Sequence, residues 1–143
     1  MTTKDRKALE PTRYASLLQF LNRHMQLLDE GRIEEWAAGF TQDGVFATEA
    51  VPDPVRGRAD IVAGANHAKG QLSKDGIVRR HWLGMTEAHV DADGIISARS
   101  YALTLQTTSQ AQAVIRFFNI CTDTLTQKDD GGWLIVSRSI TRS

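Results

Sequence analysis

The sequence has no surplus of charge of either sign. Its 143 residues include 17 lysines plus arginines and 17 aspartates plus glutamates, so the formal net charge is zero. A protein that attracts nucleic acid electrostatically needs a basic surplus or a basic stripe. The pair Arg79-Arg80 is too short to form one. We therefore expect no nucleic-acid partner.

Cysteine and long apolar runs are also scarce. The single cysteine, Cys121, excludes an intrachain disulfide and fits a reducing compartment. No stretch approaches the roughly 18 apolar residues of a membrane span. The charged residues 1–7 lead into no apolar segment typical of a signal peptide. These absences favour a cytoplasmic protein without a membrane partner.

Motifs for common cofactors and nucleophiles are missing as well. There is no P-loop, no GxGxxG glycine pattern and no GxSxG nucleophile elbow. The histidines and Cys121 show no HxH, HxxxH or CxxC spacing, so we predict no metal site. We expect any chemistry to depend on the side chains of the protein, without a cofactor.

The first half of the chain has the patterns of helices. Residues 1–10 are polar and are predicted to form a flexible N-terminus, ahead of a single domain over residues 11–143. Apolar residues recur every three or four positions between Pro11 and Gly31, which predicts an amphipathic helix. Further elements are predicted in this half: a second helix over residues 33–40, a strand over 45–50 and a third helix over about 57–71.

The second half has the patterns of long strands. Extended segments are predicted over Ile77–Val90, 95–107, 113–127 and Trp133–Arg142. Short polar connections between long strands favour antiparallel neighbours. We predict an α+β fold, with N-terminal helices packed on the concave side of a curved, mostly antiparallel sheet that forms a cone-shaped α+β barrel. Such a sheet encloses a cavity, which is the default ligand site.

His81 is the first candidate for chemistry in that cavity. It alternates with Leu83 and Met85 on one face of its strand, so it is a titratable group in an apolar lining. Histidine is both an acid and a base near neutral pH because its unperturbed pKa is about 6.5. The alternatives are a structural histidine bonded to the backbone and a surface histidine. His67 and His89 are expected to be exposed.

Two residues of the first helix and two arginines near the C-terminus are further candidates. His24 lies on the apolar stripe and must find a partner there. Asp29, near the helix end, could be that partner or could face the cavity. The alternatives are a satisfied core histidine and a helix-end carboxylate. Arg138 and Arg142 share strand parity with apolar residues, which indicates an ion pair or an anion contact. For Arg138 we favour a sheet-edge position with its head in water.

Several stretches occur in an order that is typical of one known family. They are LDEG at 28–31 leading to Trp36, FTQDGVF at 40–46, GRADI at 57–61, RHWLG at 80–84 and DGGWLI at 130–135. In these stretches the chain resembles the SnoaL-like branch of the nuclear-transport-factor-2-like superfamily, over roughly residues 11–142. That superfamily contains cyclases, dehydratases, isomerases, oxygenase small subunits and non-catalytic binders, so the resemblance implies the fold more strongly than the function.

Within this family the pattern is most similar to scytalone dehydratase and the bile-acid 7α-dehydratase. The resemblance implies that His81 and Asp29 match the catalytic histidine and aspartate of these enzymes. His24 falls at the position of a tyrosine in the bile-acid enzyme, and Arg142 falls at the position of an arginine.

Other positions depart from the family pattern. Thr104 stands where the bile-acid enzyme has a pocket aspartate, and Gln106 stands where scytalone dehydratase has a second histidine. Thr48 lies near the position of the base aspartate of ketosteroid isomerases. We expect these three residues to contact substrate, together with Trp82 and Met85 from the strand that carries the candidate histidine.

The pattern and the resemblance favour cofactor-independent acid–base catalysis on a hydrophobic cyclic or polyketide-like small molecule. His81 would remove a proton next to a carbonyl or protonate a leaving hydroxyl, and Asp29 would orient an imidazole. His24 would be the second acid, and Arg142 would hold an anionic oxygen. The outcome would be dehydration, cyclisation or isomerisation. The alternative is a non-catalytic small-molecule-binding module or an accessory subunit of a partner enzyme.

The later strands carry apolar residues on both faces. Ile115 and Phe117 alternate on one face, while Val114 and Phe118 lie on the other. One apolar face is expected to pack on the helices and the other to meet a second surface. We therefore expect a homodimer through the outer face of the sheet, with a trimer like that of scytalone dehydratase as the alternative.

Overall fold

The computed structural model describes residues 6–108 and 112–142. The helices in this part of the chain are α1 (Pro11–Asp29), α2 (Ile33–Ala37) and α3 (Arg58–Lys74). The strands are β1 (Lys7–Ala8), β2 (Phe40–Thr48), β3 (Val55–Arg56), β4 (Ile77–Val90), β5 (Ile96–Thr108), β6 (Val114–Gln127) and β7 (Trp133–Arg142). Within the described residues no helix combines the length and the apolar character needed to cross a membrane.

Most element boundaries follow the sequence patterns. The predicted bounds of β4 and β7 are confirmed at both ends, and α1 begins at the predicted proline. The second helix is shorter than predicted and ends at Ala37, because Phe40 already belongs to β2. The third helix is longer than predicted and continues to Lys74.

The strands form one open, mixed sheet in the order β1-β4-β5-β6-β7-β2-β3. Every neighbouring pair is antiparallel except β2 with β7, which is parallel. The helices pack against this sheet, so the predicted α+β class with a mostly antiparallel sheet is confirmed. The sheet does not close into the predicted barrel, because its order ends in the short strands β1 and β3.

The described part of the N-terminal segment is packed, although it was predicted to be flexible. Lys7–Ala8 pairs with the C-terminal end of β4. Leu9 is buried, and its N–H donates to the carbonyl oxygen of Ala88 at 2.9 Å. The carboxylate of Glu10 accepts hydrogen bonds from the first turn of α1 and caps the helix. An apolar residue and a cap directly before the helix therefore attach this segment to the fold.

The core lies between α1, α2 and one face of the sheet. Leu17 and Leu21 pack in one cluster with Trp36, Phe40 and Ile135, and all five are at most 3% exposed. The apolar stripe predicted for the first helix is therefore the face that α1 buries.

Two bulges change which side chains face this core. In β4 the pairing with β5 shifts between Gly84 and Glu87, and Met85 between them has a φ of 51°. In β7 the extra residue is Val136, so the alternation reverses and Arg138 points into the core. The predicted sheet-edge position of Arg138, with its head in water, is therefore wrong.

Helix α1 covers the edge of β4 that β1 leaves free. The hydroxyl of Tyr14 donates to the carbonyl oxygen of Thr86 at 2.6 Å. The carboxylate of Asp29 accepts the backbone N–H of His81 at 3.0 Å. Such edge groups need hydrogen-bond partners. These contacts fix α1 against β4 and place its last residue beside His81.

The packing of His24 against Gly39 predicts a strong effect of one added methyl group. A Cβ at Gly39 would lie 2.7 Å from Cδ2 of His24, whose ring stacks between Phe20 and Trp36. Gly39→Ala should therefore lower the free energy of unfolding by about 1–3 kcal/mol in urea denaturation. Gly64→Ala is the control, because a Cβ there meets nothing within 4 Å and alanine favours a helix by about 0.5–1 kcal/mol. An unchanged urea midpoint for Gly39→Ala would contradict this packing.

Candidate functional site

A cleft of about 780 Å³ opens between the C-terminal end of α1 and the free stretch of β4. Its lining includes Asp29, Glu30, His81, Trp82, Leu105 and Gln106. His81 and Trp82 are consecutive in β4, so their side chains point to opposite faces of the sheet. The cleft therefore extends round the strand edge, from the helix side to the outer face.

Asp29 and His81 form the polar centre of this cleft. Nδ1 of His81 lies 2.7 Å from Oδ1 of Asp29, and the backbone N–H of His81 also donates to this carboxylate. An ionised carboxylate only accepts hydrogen bonds, so Nδ1 carries a proton, and in the neutral ring Nε2 keeps its lone pair. The side chains of Asp29 and His81 are 13% and 30% exposed. The carboxylate therefore lies behind the imidazole, which faces the cleft.

Three other residues singled out in the sequence lie close to this pair. Thr104 is opposite His81 in the register of β4 and β5, so both side chains are on the helix side of the sheet. Gln106 lines the cleft and accepts a hydrogen bond from Nε of Arg79 at 2.9 Å. Trp82 lines the cleft from the outer face and is 46% exposed.

Arg142, Met85 and Thr48 were expected in the cavity but do not line the cleft. The side chain of Arg142 is 82% exposed and forms an ion pair with Glu49 at 3.3 Å. Met85 is 73% exposed, because the bulge in β4 turns it away from the helix side. The hydroxyl of Thr48, at the end of β2, accepts the N–H of Ala50 at 3.2 Å. The three residues therefore lie outside the cavity in which they were predicted.

His24 is buried away from the cleft and is 1% exposed. Its Nε2 donates to the carbonyl oxygen of Trp36 at 2.8 Å, and its Nδ1 accepts from a terminal amino group of Arg138 at 3.4 Å. Burial, together with the charge of Arg138, lowers the pKa of His24 to about 3. His24 has the position of a satisfied core histidine, so its expected role as a second acid has no structural basis.

A buried ion pair holds His24 in place. Nε of Arg138 donates to Oδ1 of Asp123 at 2.7 Å, a terminal amino group donates to Oδ2 at 2.9 Å, and both residues are 1% exposed. The nearby Cys121 thiol donates to Asp123 at 3.6 Å, and burial raises the pKa of Cys121 to about 12. Two-fold hydrogen bonding and further partners offset the desolvation of such a pair. This network belongs to the core.

Arg79, which the sequence patterns had not singled out, does not line the cleft but donates a hydrogen bond to Gln106, which does. It lies two residues before His81 and therefore on the same face of β4. The alternation that placed Leu83 on the same face as His81 also applies to Arg79, so the sequence could have predicted its position. Gln26 also lines the cleft, about one helical turn before Asp29. Within the described residues no three His, Cys, Asp or Glu side chains are arranged to hold a metal ion.

The sequence of residues 11–139 matches the SnoaL-like domain family. The chain belongs to this family. The match covers α1 to most of β7, so it includes every element that builds the cleft. A comparison with curated proteins found no match.

Solved structures of similar proteins cover nearly the whole chain. ActVI-ORFA from Streptomyces coelicolor is 31% identical, with a TM-score of 0.85 over 92% of this chain and 96% of its own. Aln2 from another Streptomyces strain is 29% identical, with a TM-score of 0.85 over 95% and 94%. A protein from Catenulispora acidiphila, in complex with S-DNPA, is 33% identical, with a TM-score of 0.81 over 92% and 94%. The resemblance stated from the sequence is confirmed.

The low pKa of His24 has a measurable consequence. In the folded protein its Cε1–H resonance should not move between about pH 8 and pH 5, whereas in urea it should titrate near the ordinary value of about 6.5. Below pH 6.5 the unfolded chain therefore binds a proton that the folded chain excludes. This residue should lower stability as the pH falls from about 6.5 toward 3, by up to ~1.4 kcal/mol per pH unit. A folded-state NMR midpoint near pH 6 would contradict the buried placement.

Proposed function

We propose that the protein is a cofactor-independent acid–base catalyst, a dehydratase or cyclase that acts on a hydrophobic cyclic or polyketide-like small molecule. The observation that carries this proposal is the 2.7 Å contact between His81 and Asp29 at the wall of a cleft of about 780 Å³. Since the carboxylate holds the Nδ1 proton, Nε2 is the ring nitrogen left to exchange a proton with a ligand.

The chemistry follows from this orientation. Nε2 of His81 removes a proton from a carbon next to a carbonyl, and the carboxylate of Asp29 stabilises the resulting imidazolium. In a dehydration the imidazolium then protonates a leaving hydroxyl, and water departs. In a cyclisation the carbanion attacks a second carbonyl, whose oxygen takes the proton. Thr104, opposite His81, offers a hydroxyl to the developing oxygen charge.

The surroundings of the pair support a hydrophobic cyclic ligand. Trp82 and Leu105 line the cleft and offer apolar area to a ring. The Catenulispora acidiphila protein, 33% identical to this chain, was solved in complex with S-DNPA. This complex of a similar protein supports the proposal that the present chain binds a ligand.

A non-catalytic binding module, or an accessory subunit of a partner enzyme, is the second candidate. The observation that favours it is the second contact of Asp29, which accepts the backbone N–H of His81 at 3.0 Å. The carboxylate thus has a role at the edge of β4 that needs no chemistry. Under this proposal the cleft binds its ligand without turnover.

Substitution of His81, the candidate base, distinguishes the catalyst from the non-catalytic binding module. With the best substrate from a panel of hydroxylated cyclic ketones, His81→Ala should lower kcat by about 10²–10⁴-fold, because general acid–base help is lost. His67→Ala is the control, because it removes an exposed histidine of α3 and should leave kcat unchanged. A loss smaller than about tenfold in a folded His81→Ala protein would rule His81 out as the acid–base group. Ligand binding by the wild type without any turnover would favour the binding module.

We also propose that two copies of the chain associate through the outer face of the sheet. Large apolar side chains are 37–60% exposed there: Val78, Trp82, Tyr101, Ile115 and Phe118. Trp82 is opposite Leu103, which is opposite Phe118, so the patch is continuous. Such a patch is typical of an interaction surface, and a zero net charge gives no overall repulsion between copies. Because Val78 and Trp82 also line the cleft, a second copy would close its outer side.

A charge placed in this patch tests the dimer. The wild type should show twice the chain mass of 15.8 kDa in light scattering at micromolar concentration. Phe118→Glu should shift the mass toward the monomer, because an unpaired charge is costly to bury. Val51→Glu is the control, since Val51 is 45% exposed but lies outside the sheet. A monomeric wild type would contradict the dimer, and three times the chain mass would indicate the trimer.

A further inference from the structure

Two arginines share one aromatic ring close to His81. The Cζ atoms of Arg79 and Arg116 lie 5.5 and 4.5 Å from the centroid of the Phe117 ring. Phe117 is opposite Thr104, which is opposite His81, so the ring belongs to the same cross-strand row. Two positive charges therefore converge beside the proposed proton-exchange site.

No acidic side chain within the described residues compensates these two charges by an ion pair. Partial burial, together with the charge of Arg116, lowers the pKa of Arg79. Arg116 is exposed, whereas Arg79 is partly buried, and a cation that is partly removed from water beside a like charge destabilises a fold unless an opposite charge joins it. An uncompensated pair next to a cleft is therefore typical of a site for an anionic group that arrives with a ligand.

Gln106 fixes the direction of the Arg79 guanidinium. Its Oε1 accepts the hydrogen bond from Nε of Arg79 at 2.9 Å, and Gln106 itself lines the cleft. The two terminal amino groups of Arg79 make no hydrogen bond within residues 6–108 and 112–142. A planar guanidinium with unused donors can bind a carboxylate through two parallel hydrogen bonds.

We propose that Arg79 and Arg116 form a subsite for a carboxylate of the ligand whose reacting carbon lies at His81. The location of the reacting carbon rests on the proposed function. The Cα atoms of residues two apart on one face of a strand are roughly 7 Å apart. The carboxylate would thus lie about the width of a fused ring from the proton-exchange centre, so the ligand class is a cyclic or polycyclic carboxylic acid. This subsite takes the role expected for Arg142, whose guanidinium is paired with Glu49.

Calorimetric titration with 2-naphthoate and 2-naphthamide tests the subsite, because the probes differ in charge but little in shape. The wild type should bind naphthoate at least about tenfold more tightly, as expected for a hydrogen bond to an ionised group. High salt should weaken this preference. Arg79→Met and Arg116→Met should each reduce the preference, and the double variant should remove it with little change in naphthamide binding. Arg116 is exposed, so its variant is informative even where Arg79→Met fails to fold.

Arg99→Met is the matched control, because Arg99 is an exposed arginine whose Cζ lies 5.9 Å from the centroid of the Tyr101 ring, and it does not line the cleft. The subsite is overturned by equal binding of both probes, by no naphthoate binding at millimolar concentration, or by an unchanged preference in the double variant. Loss of the preference in Arg99→Met also overturns it. The measurement needs no turnover. If the wild type shows no turnover but the double variant loses the preference, the subsite is supported and catalysis is contradicted. If turnover depends on His81 but both probes bind equally, catalysis is supported and the subsite is contradicted.

Discussion

The Asp29 carboxylate is the contact on which the site depends, because it holds both the backbone and the ring of His81. β4 has a free edge because β1 pairs only with its C-terminal end. An N–H on such an edge needs a partner, and α1 ends where its last carboxylate can accept that hydrogen. The same carboxylate then fixes the tautomer and the direction of the imidazole. One side chain therefore satisfies the strand edge at His81 and orients the candidate base.

Burial decides how the two histidines near α1 behave. His24 lies between aromatic rings and beside the charge of Arg138, so the neutral form is the stable one. Its two nitrogens bond the carbonyl of Trp36 and the guanidinium of Arg138, which leaves neither for a ligand. His81 has a carboxylate on one nitrogen and is open to the cleft on its other side. A histidine needs both a partner and access in order to exchange protons with a ligand.

The long periodic segments could be predicted because each repeats one period several times. The bulges could not be predicted, because the extra residue of a bulge looks like any other strand residue in the sequence. Its effect, the reversed alternation beyond it, appears only in the pairing of the strands. This is why Met85 was expected in the cavity but is exposed, and why Arg138 was expected on the face of Leu134 and Val136 but lies in the core. Asp29 and His81 could be placed from the family pattern, since both lie at element positions free of bulges. The exposure of Arg142 depends on an ion pair with a residue distant in the sequence, which no local pattern reveals.

Gly84 makes room on the outer face of the sheet for Trp82, a residue of the cleft lining. A Cβ there would overlap the ring of Trp82, so the missing side chain lets the indole pack against the strand. Trp82 then lines the cleft from the outer face, while His81, the preceding residue, lies on the helix side. Anything that covers the outer face therefore also removes water from one wall of the cleft. Since electrostatic interactions strengthen as water is excluded, cover on Trp82 and the strength of the Asp29–His81 interaction are physically linked.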